Sequence, residues 1–100
     1  MEKHKPHYEL EDIKRAFAES EGLRLSVTAL RDAIGLGLTR HDIVAVIQTL
    51  TVRELYKSMT SERDHRIWQD VYHANYQGLS LYVKFTIDDE GYFLISFKEK

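Results

Sequence analysis

In the stretch YKSMTSERDHRIWQDVY, residues 56–72, a lysine and a glutamine are set among hydroxyls and three large aromatics. Read as strands, alternation lines Lys57 up with Leu55 and Met59, and Gln69 with Ile67 and Val71. Polar groups on locally apolar faces are either a snorkelling amine and a hydrogen-bonded core amide, or working groups. Further along, LYVKFTID sends Tyr82 and Lys84 to the side opposite its apolar residues, and GYFLISFKEK does the same with Ser96 and Lys98. A sheet face carrying Lys57, Gln69, Tyr82, Lys84 and Lys98 would be electropositive and rich in hydrogen-bond donors, which is chemistry for holding an anion.

Such a face needs elements to carry it. After residue 50 the apolar period is two. Leu81, Val83, Phe85 and Ile87 face one way in LYVKFTID, and Phe93, Ile95 and Phe97 share a face in the last segment. YQG at 76–78 and DDEG at 88–91 carry hairpin-turn chemistry. Strands are expected near 53–59, 66–74, 79–88 and 91–98, as an antiparallel meander. The N-terminal half has the helical period instead. Leu10, Ile13 and Phe17 form one stripe, ended by Gly22. Val27, Leu30, Ala33 and Ile34 form a second, and Ile43, Val46, Ile47 and Leu50 a third. Thr39 and Asp42 resemble a capping box ahead of the third stripe. The expected class is α+β, with N-terminal helices packed on one sheet face through Val83, Phe85, Phe93 and Ile95.

The bulk numbers narrow the function. One hundred residues, 43% hydrophobic and 30% charged, make one globular domain over 1–100. There is no cysteine, so disulfides, thiolate metal sites and a cysteine nucleophile are excluded. No run is apolar or long enough for a membrane helix, and MEKHKPH lacks the apolar stretch of a signal peptide, so a cytoplasmic protein is expected. The net charge is −2, and each half carries seven basic and eight acidic residues. A nucleic-acid partner would therefore have to be held by a local patch.

The words YKSMT, DH, IWQDVY, LYVKFTI and SFKEK, with MEK and PH at the start, closely resemble the MqsR family of bacterial type II toxins, of RelE-like fold. The match is strongest over 56–100 and weaker over 8–50. The resemblance implies a ribosome-independent mRNA endoribonuclease favouring GCU-type sites, without a cofactor. It also implies neutralisation by a zinc-containing, DNA-binding antitoxin like MqsA. Carried over position by position, the activity-linked residues are Lys57, Gln69, Tyr82 and Lys98. The loop SERDHR and the segment HANYQGLS depart from the family pattern.

Metal-free RNA cleavage uses the substrate's own 2′-OH as nucleophile, so the protein must move two protons and stabilise charge on phosphorus. Lys57 is expected to act near the 2′-OH, as base if its pKa is depressed and otherwise as a charge stabiliser, with Lys84 and Lys98 as the neighbours that could depress it. Lys98 would bind the phosphate, Tyr82 would position it or serve as acid, and Gln69 would orient the ribose or phosphate. Tyr56 and Met59 could stack bases, while Trp68 reads as packing. Of the five histidines, His41 and His65 read as surface and His4 and His7 as part of a loose N-terminus. His73, near a strand end, is a reserve acid or base on the RNA face. Two rival classes remain: a non-catalytic RNA- or partner-binding module, and a purely structural protein whose strand edge another chain covers. A helix-turn-helix regulator fits poorly, because the third helix is apolar with only Arg40 and His41 to meet phosphate.

Overall fold

The third apolar stripe forms helix α3 (Arg40–Thr49), and its start is a reciprocal capping box between Thr39 and Asp42. Ahead of it lie α1 (Leu10–Ala16) and α2 (Val27–Gly35), the latter capped by the Ser26 hydroxyl accepting from the Ala29 N–H. The computed structural model describes residues 1–100. Strands follow the helices: β2 (Leu55–Thr60), β3 (Trp68–Tyr76), β4 (Leu79–Asp88) and β5 (Gly91–Glu99). A two-residue strand β1 (Glu2–Lys3) precedes them all, and the sheet order is β1-β2-β3-β4-β5, antiparallel throughout. This is the expected α+β class, consistent with a RelE-like toxin. The β3–β4 turn has φ of 50° at Gln77 and 80° at Gly78, the pair of positive values that a two-residue primed hairpin requires.

One sheet face takes the helices. Ile13 and Phe17 from the first helical segment, Ala29 and Ala33 from α2, and Ile43, Val46 and Ile47 from α3 pack with Tyr72, Leu81, Val83, Phe85, Leu94 and Phe97. Burying each large apolar side chain here contributes about 1.5–3 kcal/mol. The other face has no helix over it.

Several expectations change. The first helix ends at Ala16, and a separate 3-10 turn over Ser20–Gly22 completes the segment. In α2 the helix meets β5 through the small Ala29 and Ala33, so it sits close and turns Val27 and Ile34, 72% and 62% exposed, to solvent. Leu94, not Ile95 or Phe93, joins Phe97 in the core. The cause is a β-bulge: Lys84 pairs Ser96 but Phe85 pairs Leu94, so one residue of β5 is extra and the alternation flips. A second bulge lies between Leu55 and Lys57, where Leu55 pairs Tyr72 and Lys57 pairs Val71. It splits the expected line of Leu55, Lys57 and Met59, sending Leu55 against the core and leaving the other two on the opposite face.

The N-terminus, expected to be loose, is fastened. Besides the β1–β2 pairing, the buried Asp70 carboxylate accepts from the His7 and Tyr8 backbone N–H groups at 3.0 and 2.9 Å and from the Ser58 hydroxyl at 2.6 Å. The Ser58 hydroxyl oxygen also lies 2.9 Å from the Lys5 carbonyl oxygen, and His7 stacks on Trp68 with ring centroids 4.9 Å apart. Trp68 is a packing residue, as expected.

Candidate functional site

Pairing registers define the uncovered face. Val83 and Leu81 are buried in the core, so their neighbours Tyr82 and Lys84 lie on the far side. Across the sheet Tyr82 pairs His73 and Lys98, while Lys84 pairs Val71 and Ser96. Val71 in turn pairs Lys57, and Gln69 pairs Met59. The sheet thus brings Lys57, Gln69, Tyr82 and Lys98 onto one surface, and Lys84, His73 and Met59 onto it with them. Tyr56, at the β2 bulge and 48% exposed, joins by stacking on His73 at 4.3 Å. Val71 is wholly buried among these polar side chains and forms the apolar floor of the patch.

The electrostatics sort the lysines. Lys57 Nζ lies 2.9 Å from the Glu2 carboxylate. That hydrogen-bonded ion pair raises the pKa of Lys57, the opposite of the depression that a lysine base would need. The lysine held below its usual value is Lys84, first by burial and second by the charge of Lys98. Lys98 Nζ sits over the Tyr82 ring, 5.3 Å from its centroid. Burial pushes the Tyr82 phenol up, with Lys57 pulling the other way. His73, placed inside β3 instead of near its end, has its pKa pushed down by burial and by Lys100.

Beside the patch opens a groove of about 580 Å³, lined by Met59, Gln69, Lys84 and Ile95 from the sheet and by Glu62 and Arg63 from the β2–β3 loop. Ile95 reaches it because of the β5 bulge. The largest part of this arrangement that sequence alone misses is Glu2. A two-residue strand carries no periodicity, and only the register Glu2–Met59 brings its carboxylate to this face.

The four positions named through the resemblance, Lys57, Gln69, Tyr82 and Lys98, thus lie together on an uncovered sheet face. Residues 5–99 match the family described as motility quorum-sensing regulator, toxin of MqsA. The chain belongs to the MqsR toxin family. A curated relative, the mRNA interferase toxin MqsR of Escherichia coli (strain K12), is 38% identical over 100 residues, covering all of both chains. No helix is long and apolar enough to cross a membrane.

Proposed function

We propose that this MqsR-family chain, residues 1–100 acting as one unit, is a type II toxin that cuts mRNA without a ribosome or a metal. The observation that carries the reading is the convergence of Lys57, Gln69, Tyr82 and Lys98 on one helix-free sheet face. An RNA strand laid across this face meets ammonium groups for its phosphates and a groove of about 580 Å³ beside them for an unstacked base. Lys57, fixed as a cation, stabilises charge at phosphorus as the 2′-oxygen attacks. Lys98 holds a non-bridging phosphate oxygen, with Lys84 as a further phosphate contact. Gln69 orients the ribose or phosphate, and Tyr82, protonated at neutral pH, positions the phosphate and supplies a proton to the leaving 5′-oxygen. Tyr56, on its His73 platform, and Met59 flank the reacting group as base contacts.

The reading extends to GCU-type cleavage sites, as the resemblance implies, with the loop residues Glu62 and Arg63 at the groove adjusting that preference. It extends likewise to a zinc-containing, DNA-binding antitoxin of the MqsA kind as partner, and to action in the cytoplasm, where mRNA is found.

The test is digestion in EDTA of a defined RNA with and without GCU, with the new ends mapped. Cuts at set triplets, ending in cyclic phosphate and reduced at least about 100-fold in folded Lys57→Ala and Lys98→Ala, are expected. Wild-type rates in folded Lys98→Ala sink its assignment. RNA that is retained but uncut points to the non-catalytic binding module.

A further inference from the structure

The proposed cleavage needs a proton acceptor, and the roles assigned above to Lys57, Gln69, Tyr82 and Lys98 do not supply one, His73 being held only in reserve. Lysine and tyrosine ordinarily keep their protons until about pH 10, and glutamine does not titrate. Lys57 and Tyr82, both raised above their ordinary values, are therefore acids at neutral pH, and Gln69 is neither acid nor base. Attack by the 2′-oxygen has to release a proton to some other group.

The fold supplies a carboxylate at this point. Strand β1 pairs with β2 so that Glu2 stands opposite Met59, a residue of the polar face, while the next residue, Lys3, stands opposite the buried Ser58. The Glu2 carboxylate lies 2.9 Å from Lys57 Nζ and is half exposed, with 53% of its side-chain surface open to solvent. The strand that presents it is held on both sides. The Met1 amine donates to the Thr60 hydroxyl at 3.0 Å, the Thr60 N–H donates to the Met1 carbonyl at 2.9 Å, and Asp70 clamps residues 7 and 8. A frayed terminus would not fix a carboxylate against the key lysine; this one does.

We propose that Glu2 is the general base of the reaction, delivered to the site by the N-terminal strand; the assignment rests on the nuclease reading above. The Glu2 carboxylate takes the 2′-OH proton as the 2′-oxygen forms its bond to phosphorus. The P–O5′ bond breaks, and the 5′-oxygen receives the Tyr82 phenolic proton. The products are a 2′,3′-cyclic phosphate and a 5′-OH, with one proton gained by Glu2 and one lost by Tyr82. Lys57 stays positive throughout, holding Glu2 ionised before the attack and stabilising the phosphorane during it. His73 is the other proton acceptor on this face, but its ring is stacked against Tyr56, whereas Glu2 is open to solvent and in contact with Lys57.

Glu2→Gln keeps shape and β1 pairing, and its thermal melt serves as the folding control. Single-turnover cleavage is measured beside affinity for a 2′-O-methyl RNA that cannot be cut. The expected result is a rate loss on the order of 10²–10⁴-fold with analogue affinity unchanged or tighter. The pH profile supplies a readout that a structural role would not move. Glu2 is faced by the Met1 amine and His4 from its own segment and by Lys57 from β2, with Tyr56 and Tyr82 beyond Lys57. Across pH 7.5–9 any other group that titrates does so in both proteins, so the readout is the difference between the two profiles. The wild-type to E2Q rate ratio should fall roughly tenfold per pH unit there, because E2Q depends on hydroxide. E2Q cutting as fast as wild type, or faster, overturns the base and leaves Glu2 as a competitor of phosphate for Lys57. A loss matched by lost analogue binding, with a flat ratio, overturns it in favour of simple positioning of Lys57. A wild-type protein that leaves RNA intact overturns the nuclease reading itself.

Discussion

Lys57 and Lys84 reach the same face, yet their surroundings push them in opposite directions. A carboxylate at 2.9 Å raises Lys57, and burial beside Lys98 lowers Lys84. Alternation along a strand identifies which residues share a face, but a pKa depends on partners brought in from other strands. On the core side, the Tyr72 hydroxyl is buried without a hydrogen-bond partner, and burial drives its pKa far above the ordinary tyrosine value. A hydroxyl in that position costs desolvation and returns nothing. Tyr72→Phe should therefore leave the fold unchanged and raise its stability by about 1 kcal/mol, measured by urea unfolding. A clear loss of stability would mean that the hydroxyl has a partner in solution.

At the scale of elements, the N-terminal segment matters most. Asp70 joins it to the sheet by accepting from two backbone N–H groups and one hydroxyl, all with a carboxylate that is wholly buried. An amide has one acceptor oxygen for the same three donors. Asp70→Asn should cost about 1–3 kcal/mol in urea unfolding. It should also raise hydrogen exchange first in residues 2–8 and at the β2 edge. If the whole chain loosens together, the clamp is not local. The two bulges act at this scale too. Each inserts one residue, reverses the alternation beyond it and so decides which side chains line the groove.

For the molecule as a whole, stability should fall on mild acidification. His7 and His73 are both held below the ordinary histidine pKa, chiefly by burial. A depressed histidine disfavours the proton in the folded state, so the unfolded chain binds more protons once the pH drops below about 6.5. The urea midpoint should fall from pH 7.5 toward pH 5 and flatten once the pH passes below the folded values. Substituting both histidines with Gln should remove most of that slope, and an unchanged slope would place the titration elsewhere. The net charge of −2 also bears on binding. On the proposed reading, contact comes from Lys57, Lys84 and Lys98, with little help from the overall charge. Three phosphate contacts to a single strand give a slope of roughly −2 in log affinity against log salt. A slope near zero for uncleavable RNA would show that these lysines do not meet phosphate.

The sequence by itself determined most of the elements and the sheet face on which most of the candidate residues lie. Helical stripes such as Ile43, Val46, Ile47 and Leu50, and alternation such as Leu81, Val83 and Phe85, are driven by burial along a single segment, and all of those side chains are buried. That Lys57, Gln69, Tyr82 and Lys98 share a face was legible from the same alternation, whereas a link to activity is what the resemblance to the MqsR family implies. Tertiary structure decided what periodicity cannot encode. The bulges at Leu55–Lys57 and Lys84–Phe85 depend on how two strands pair, so Leu55, Phe93 and Ile95 could not be placed from either strand alone. The exposure of Val27 and Ile34 follows from how closely α2 approaches β5. Strand β1 has no pattern of its own. Its hydrogen bonds and Glu2's position against Lys57 exist only because β2, more than fifty residues away in sequence, offers it an edge.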